Sequence, residues 1–258
     1  MLNYIKSELY RILHKKSSYL FIAICSLLLL SSNVVLALVK QTDESFRFAN
    51  TDFALSNFMT SQVIVYFLCV TVASLIFGGE YVNRTMKNSI TYGVSRETIY
   101  LGKLVVVIIY AIITFTIIFG VHAGSAYLLL ENSKSEIMKI LLQTIAAVLP
   151  FFLFALAATN SFYFMFESNG LAIGSVLGLM IGLPIISNFL AMKFSFFEKL
   201  ASILPMNLIN GIDYDFNNLT IILAFENNPY LKYWLAGIVQ MVIMVILGIT
   251  VFRKKELK

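Results

Sequence analysis

Six long runs without a charged side chain alternate with polar segments along the chain. A helix needs about 20 consecutive apolar residues to cross the hydrocarbon core of a bilayer, and each run reaches that length. The pattern therefore predicts six transmembrane helices in one domain that takes in residues 1–258. The runs are Ser17–Val39, Phe53–Gly79, Leu104–Leu130, Ile140–Phe166, Ser168–Met192 and Tyr233–Phe252.

The N-terminal arm, residues 1–17, has a periodicity of its own. Its apolar residues recur along one face of a helix, and basic side chains lie elsewhere around that helix. One interpretation is an amphipathic helix in the headgroup layer of the inner leaflet. The other is a plain extension of the first span, and the pattern leaves both open. The apolar residues are Leu2, Ile5, Leu9, Ile12 and Leu13.

The longest polar interruption in the first half of the chain reads GGEYVNRTMKNSITYGVSRETIYLGKL. Val82, Met86 and Ile90 recur at four-residue spacing, which predicts a short helix with one apolar side. Gly93 suits the end of that helix, and Ser95 suits the N-cap of the next one. A solvated loop needs no such order, so we expect this segment to form a docking surface for a soluble partner.

A second long interruption covers residues 193–232 and is not simply polar. Its stretch FSFFEKLASILPMNLI has enough Phe, Leu and Ile to lie in the membrane interface or to enter the bilayer as a re-entrant piece. The stretches NGIDYDFNN and ENNP are rich in turn-forming residues and predict turns.

The fifth predicted span carries a glycine at every fourth position. Gly170, Gly174, Gly178 and Gly182 would form a groove without side chains on one helix face. Such a groove lets a second helix approach closely, because packing drives helix association in lipid. The groove predicts either a moving or dimer-forming interface or ordinary packing within the chain.

Composition and charge set the class and the orientation. The chain is 59% hydrophobic and 13% charged, whereas globular domains are about 25% charged. Lys and Arg favour the cytoplasmic side of a membrane. With the N-terminus inside, the inner segments hold 12 of the 19 basic residues. We therefore expect an all-α integral membrane protein with both termini and the 80–103 segment in the cytoplasm.

Catalytic and metal-binding patterns are missing from the sequence. It contains no HExxH, no GxSxG and no glycine-rich phosphate loop, and Cys25 and Cys69 do not have metal-ligand spacing. Ion-coupled carriers usually need an ionisable group inside the membrane, and His122 is the single candidate in the six runs. His122 has two interpretations, an interhelical hydrogen bond or a transport role. We expect no catalytic residue, and energy supplied by another protein.

The 80–103 segment resembles the cytoplasmic loop of type-2 ABC exporter permeases. That loop often reads Glu-Tyr-x-x-Gly-Thr-x-Lys, followed by a Gly-x-Ser-Arg turn and a Lys before the next span. Arg84 departs from the pattern, since glycine is common there. The order of six spans, the N-terminal arm and the long last outer loop also fit, so the likeness covers the whole chain. The matching residues are Glu80, Tyr81, Thr85, Lys87, Gly93, Ser95, Arg96 and Lys103.

The resemblance implies a fold, a position in a complex and a set of partners. In that family the loop docks on a separate ATPase, present in two copies, which binds the ATP and Mg²⁺; this chain itself would need no cofactor. A second permease, identical or homologous, pairs with the first, and spans two and five line the path between them. By analogy, the pathway candidates are Phe58, Tyr66, Phe67 and His122.

The small size, without a large outer domain, is most similar to permeases of the bacitracin-resistance and lantibiotic-immunity type. The resemblance thus implies export of hydrophobic or amphipathic cargo, such as a membrane-active peptide, across a bacterial plasma membrane, with no role for nucleic acid. Two other functions remain open. One is a channel or secondary carrier that works without a motor, and the other is a non-transporting immunity protein that binds a peptide.

Overall fold

The structure, a computed structural model, describes residues 1–60, 63–83, 90–132, 137–166, 168–216, 218–225 and 227–255, without the side chains of residues 63 and 79–83. In those ranges the chain is helical apart from short connections and one hairpin. The helices are α1 (Leu2–Leu13), α2 (Lys16–Thr42), α3 (Thr51–Thr60), α4 (Val63–Asn83), α5 (Arg96–Leu129), α6 (Ile137–Met165), α7 (Asn169–Ala191), α8 (Ser195–Ala201), α9 (Pro205–Asn210) and α10 (Pro229–Lys254).

Five of these helices, α2, α5, α6, α7 and α10, are long and apolar enough to cross a membrane. Over the predicted span Phe53–Gly79 the structure has two helices, α3 and α4, bent by 67° from each other, so the sixth span stays a prediction. They make a sixth span only if the bent pair counts as one.

α5 extends well beyond the predicted span. It has 34 residues and begins at Arg96 rather than at Leu104. At 1.5 Å per residue a helix of this length reaches about 51 Å, whereas the hydrocarbon core is about 30 Å thick. The first turns of α5 therefore project from the core, which puts the start of this helix where it can meet groups outside the membrane.

The N-terminal arm forms a helix of its own. α1 ends at Leu13, and Lys15 has an extended backbone with φ −80° and ψ 124° before α2 begins. The interpretation of the arm as a plain extension of the first span is therefore wrong. The apolar side of α1 packs against the helical core through Tyr4, Ile5, Leu9, Ile12 and Leu13. Its position in the headgroup layer stays a prediction.

The core is formed where α6 and α10 pack along each other, with α4 and α5 beside them. Two glycines of α10 allow this helix to approach α6 and α5 closely. A Cβ at Gly237 would lie 2.6 Å from Cβ of Pro150, and one at Gly248 would lie 2.5 Å from the hydroxyl of Tyr100. α7 bears the π-helical turn Gly178–Gly182, so it is not a regular α-helix throughout.

The 193–232 segment is more ordered than the sequence indicated. Besides α8 and α9 it contains strands β1 (Asp213–Asp215) and β2 (Thr220–Ile222), paired antiparallel with Tyr214 opposite Ile221. Within NGIDYDFNN the structure has turns at Gly211, Phe216 and Asn218, as predicted, and the strand β1 between them, which was not predicted. The described residues are otherwise mostly helical, consistent with the all-α expectation. Tyr214 and Ile221 both pack against the core, and the strands form because the two side chains share one face.

Gly237→Ala tests the contact between α10 and α6. We expect the free energy of unfolding to fall by about 1–3 kcal/mol, the usual cost of forcing an extra methyl into a packed site. Gly120→Ala is the matched control, because a Cβ there meets nothing within 4 Å in the described structure. That control should be neutral or stabilising, since Ala favours a helix more than Gly does. Unfolding in mixed detergent micelles measures both, and equal effects would contradict the contact.

Candidate coupling site

The turn at the end of the 80–103 segment has the predicted form. Gly93 has φ 83°, and its N–H donates to the carbonyl of Ile90 at 2.9 Å. This left-handed backbone favours glycine, because a Cβ would crowd the following carbonyl. The Ser95 hydroxyl accepts a hydrogen bond from the N–H of Thr98 and caps α5. The predicted N-cap at Ser95 is confirmed. The short helix predicted over Val82, Met86 and Ile90 falls mostly on residues 84–89, which lie outside the described residues.

The structure does not describe the side chains of five predicted coupling residues. Glu80 and Tyr81 lie on the last turns of α4, where the structure describes the backbone alone. Arg84, Thr85 and Lys87 lie outside the described residues. Their contact with an ATPase therefore stays a prediction, and the described site consists of the two flanks of the segment.

Arg96 binds the C-terminal end of α10. Its Nη1 lies 2.8 Å from the carbonyl oxygen of Phe252, 2.9 Å from that of Arg253 and 2.6 Å from that of Lys255. The last carbonyls of a helix have no partner within the helix, and a cation there also interacts favourably with the helix dipole. Arg96 thus caps α10 and joins it to the start of α5.

Two further contacts strengthen this junction. Arg253 forms an exposed ion pair with Glu97 in the first turn of α5. The Nζ of Lys255 donates to the carbonyls of Phe164 and Met165, both at 3.2 Å, at the end of α6. The ends of α5, α6 and α10 are therefore joined next to the turn at Gly93. We call this set of contacts the C-terminal junction.

Lys103 is buried in the second contact of the segment. Its side chain is 1% exposed, and its Nζ donates to Oε2 of Glu8 at 2.8 Å. The ammonium also lies 5.2 Å from the centre of the Phe77 ring, a distance that allows a cation–π attraction. A buried charge is tolerated only with a partner. α1 therefore has to stay in place to supply the carboxylate.

α1 contacts both flanks of the 80–103 segment. A Cβ at Gly102 would lie 2.6 Å from Cδ1 of Tyr4, so α1 and α5 approach closely at this glycine. On the other flank, Arg11 donates to the carbonyl of Ile76 at 3.3 Å, and Lys15 donates to that of Leu75 at 2.6 Å. We call these contacts, together with the Glu8–Lys103 pair, the N-terminal junction.

The sequence analysis missed Glu8, Arg11, Lys15, Arg253 and Lys255 as site residues. One signal was available, since Glu8 is the only acidic residue before Asp43. A single carboxylate in a basic arm is a candidate partner for a buried cation. The roles of Arg11, Lys15 and Lys255 could not be found from the sequence, because they bind backbone carbonyls that any residue can supply. Arg253 pairs with Glu97, which is 156 positions away in the chain.

The glycine face of α7 is open. Gly170, Gly174 and Gly178 lie opposite the buried residues Ala172 and Val176. At Gly174, Gly178 and Gly182 a Cβ would meet nothing within 4 Å, and at Gly170 it would meet only the Ser168 hydroxyl at 3.7 Å. Among the described residues no other helix packs within 4 Å of a Cβ at these positions, and the role of the face stays a prediction.

The four pathway candidates do not form one wall. Phe58 and His122 stack with ring centres 5.4 Å apart, and both line one cavity. Tyr66 is 2% exposed and packs into the core, whereas Phe67 is 49% exposed on the outside of α4. Neighbouring residues of a helix point about 100° apart, so the adjacent pair Tyr66 and Phe67 cannot face the same space.

His122 takes part in an interhelical hydrogen-bond network. The Asn33 amide of α2 donates to the backbone carbonyl of His122 at 3.0 Å and to the Ser125 hydroxyl at 2.7 Å. The Asn33 nitrogen lies 3.4 Å from Nδ1 of His122, and Nε2 of His122 lies 3.3 Å from the carbonyl of Ala54 in α3. This network joins α2, α3 and α5, as the hydrogen-bonding interpretation predicted.

Glu8→Gln and Lys103→Met should differ in their effect on stability. Glu8→Gln removes the negative charge that lies 2.8 Å from the buried Lys103 ammonium, which we expect to cost about 3 kcal/mol of unfolding free energy. Lys103→Met removes the buried charge with little change of volume, and Glu8 keeps its 2.6 Å contact with Arg11. It should cost less than about 1.5 kcal/mol. Unfolding titrations of the two variants give the comparison, and equal losses would show that the pair is not what stabilises the contact.

Comparison with known proteins gives a family. The family model described as ABC-2 family transporter protein matches residues 4–184, more than two thirds of the chain. That match includes the N-terminal arm, the 80–103 segment and most of α7. No curated protein matches the chain significantly. With its five or six apolar helices the chain is a multi-pass membrane protein, and it belongs to the ABC-2 family of transporter proteins.

Proposed function

We propose that this chain is the membrane subunit of an ATP-driven exporter that receives force through its 80–103 segment. Membership of the ABC-2 family assigns it to the permeases of ABC transporters. The observation that carries the proposal further is the pair of junctions on the flanks of the segment. Together they link α1, α4, α5, α6 and α10.

Force applied to the segment would spread through both junctions. A displacement of the first turn of α5 moves Arg96 and, through three carbonyls, the end of α10. The same displacement moves Lys103 and, through Glu8, the whole of α1. Hydrogen bonds to charged groups are stronger than neutral ones, so these contacts suit the transmission of a push better than a solvated loop would.

The proposal divides the predicted coupling residues into two groups. Glu80, Tyr81, Arg84, Thr85 and Lys87 would contact the ATPase, whose two copies bind the ATP and Mg²⁺. Gly93 and Ser95 shape the turn. Arg96 and Lys103 act inside the permease, as positioning residues that connect the turn to the helices.

A second permease, identical or homologous, would cover the glycine face of α7. The face has no side chains at four positions and no described packing partner, and helices in lipid associate through such small-residue surfaces. Closure of the ATPases would then change the angle between the two permeases. Both termini and the segment would lie in the cytoplasm of a bacterium, as the charge distribution predicts.

The cargo would be hydrophobic or amphipathic, such as a membrane-active peptide of the kind met in bacitracin resistance or lantibiotic immunity. The apolar character of the described cavities supports this, because apolar walls offer few hydrogen bonds to a solute that loses its water. The two junctions favour export driven by an ATPase over a channel or a passive peptide-binding protein, since neither of those requires a braced cytoplasmic turn.

Arg96→Gln should uncouple ATP hydrolysis from export. We expect the assembled complex to hydrolyse ATP while cargo export per ATP falls roughly tenfold, the scale of a typical coupling free energy. Arg253→Gln is the matched control at the same junction, because it removes only an ion pair whose partners are 56% and 52% exposed. Exposed pairs contribute little, so this control should export normally.

The measurement uses the complex reconstituted in liposomes, with hydrolysis and export followed in the same vesicles. Glu80→Gln, on the other flank of the segment, should show the same separation of the two rates. Normal export by both Glu80→Gln and Arg96→Gln would overturn the coupling role. Export by the purified chain without any ATPase would overturn the proposal as a whole.

A further inference from the structure

A cavity of about 650 Å³ lies between α2, α3, α4 and α5. It falls in the size range of ligand pockets, which are mostly apolar with a few polar groups. Three of its lining residues are more than half exposed: Leu28 at 64%, Val35 at 56% and Ile64 at 58%. The cavity therefore opens sideways, between α2 and α4, towards the surroundings of two membrane-spanning segments.

The cavity extends along α2 from Cys25 to Leu36. Eleven residues of helix rise about 16 Å, and half of the hydrocarbon core of a bilayer is about 15 Å thick. Because α2 runs from Lys16 to Thr42, its middle is at Leu29, and the cavity extends from four residues before that point to seven residues after it, mostly on the Thr42 side. Its height is that of a single lipid leaflet.

The polar groups of the cavity lie towards one end. The lower part of the cavity, which we define as the part next to Cys25, Leu68 and Phe115, is apolar. The upper part, towards Leu36, holds the polar residues Ser31, Ser32, Asn33 and Asn57. The Asn33 amide is already bound to the interhelical network, but Asn57 is exposed on α3. A cavity with apolar walls and an amide group at its upper end is complementary to a hydrocarbon chain that carries a polar head group.

We propose that this cavity binds one hydrocarbon chain of a bilayer phospholipid, with the head group at the level of Asn57. The lateral opening admits a molecule from the bilayer, and the apolar lower walls exclude one that needs hydrogen bonds along its length. The bound lipid fills the gap between α2 and the rest of the helices, where α2 has only 6% of its span buried. Lipid binding at this cavity does not require the ATPase.

Photocrosslinking tests the proposal on the full chain reconstituted in nanodiscs without an ATPase. The probe is a phosphatidylcholine with a diazirine in the middle of one acyl chain, and labelled peptides are identified by mass spectrometry. We expect label concentrated on the lining of α2, α4 and α5, above the level on exposed faces of α2 such as Leu27. Uniform labelling of exposed and lining positions in the unmodified chain would overturn the proposal without any variant.

Cys25→Phe fills the lower part of the cavity and should lower the cavity label. Displacing about two methylenes of a bound chain reduces occupancy roughly tenfold. Ile24→Phe is the matched control, since Ile24 is the next residue on α2, is 48% exposed and does not line the cavity. Leu36→Phe, at the other end, gives a second filling variant. Unchanged cavity label in whichever filling variant elutes as a folded monodisperse protein would contradict a bound chain.

Discussion

The buried ammonium of Lys103 imposes the strongest constraint on this structure. It lies 1% exposed among apolar helices, and among the described residues the carboxylate of Glu8 lies 2.8 Å from it. A buried charge without a partner costs several kcal/mol, so the helix that supplies the partner cannot leave without a large loss of stability. The amphipathic arm is therefore part of the permease core, and Tyr4 against Gly102 and Arg11 at the carbonyl of Ile76 follow from its position there.

The second constraint is the unsatisfied end of α10. Its last carbonyls need donors, and they receive them from Arg96, a residue 156 positions earlier in the chain than Phe252. The turn at Gly93 is thus held between two charged contacts, one to the N-terminal arm and one to the C-terminal helix. A segment with both flanks fixed in this way moves together with the helices, which is the property that an ATP-driven permease requires of its cytoplasmic face.

α2 is held in the structure by hydrogen bonds more than by buried apolar surface. α2 has little buried surface and depends on the hydrogen bonds of Asn33 with the His122 carbonyl and Ser125. Interhelical hydrogen bonds in a membrane are worth about 0.6 kcal/mol each on average, so they fix a register more than they supply stability. The cavity between α2 and its neighbouring helices follows from this arrangement. A helix that is held by a few hydrogen bonds leaves space beside it, and lipid can fill that space.

The local sequence determines the membrane class, five of the six predicted spans, the apolar face of the arm, and the turn at Gly93 with its cap at Ser95. These features depend on the local spacing of apolar residues and on the backbone preferences of single residues, and both can be read from the sequence. The break between α3 and α4, the strand at Asp213–Asp215 and the open glycine face were decided by packing. The partners of Arg96 and Lys103 were also decided by packing. The sequence motif identified both residues, but a carbonyl of α10 or a carboxylate of α1 becomes their neighbour only after the helices have packed. Contacts between residues distant in sequence produce no periodic pattern.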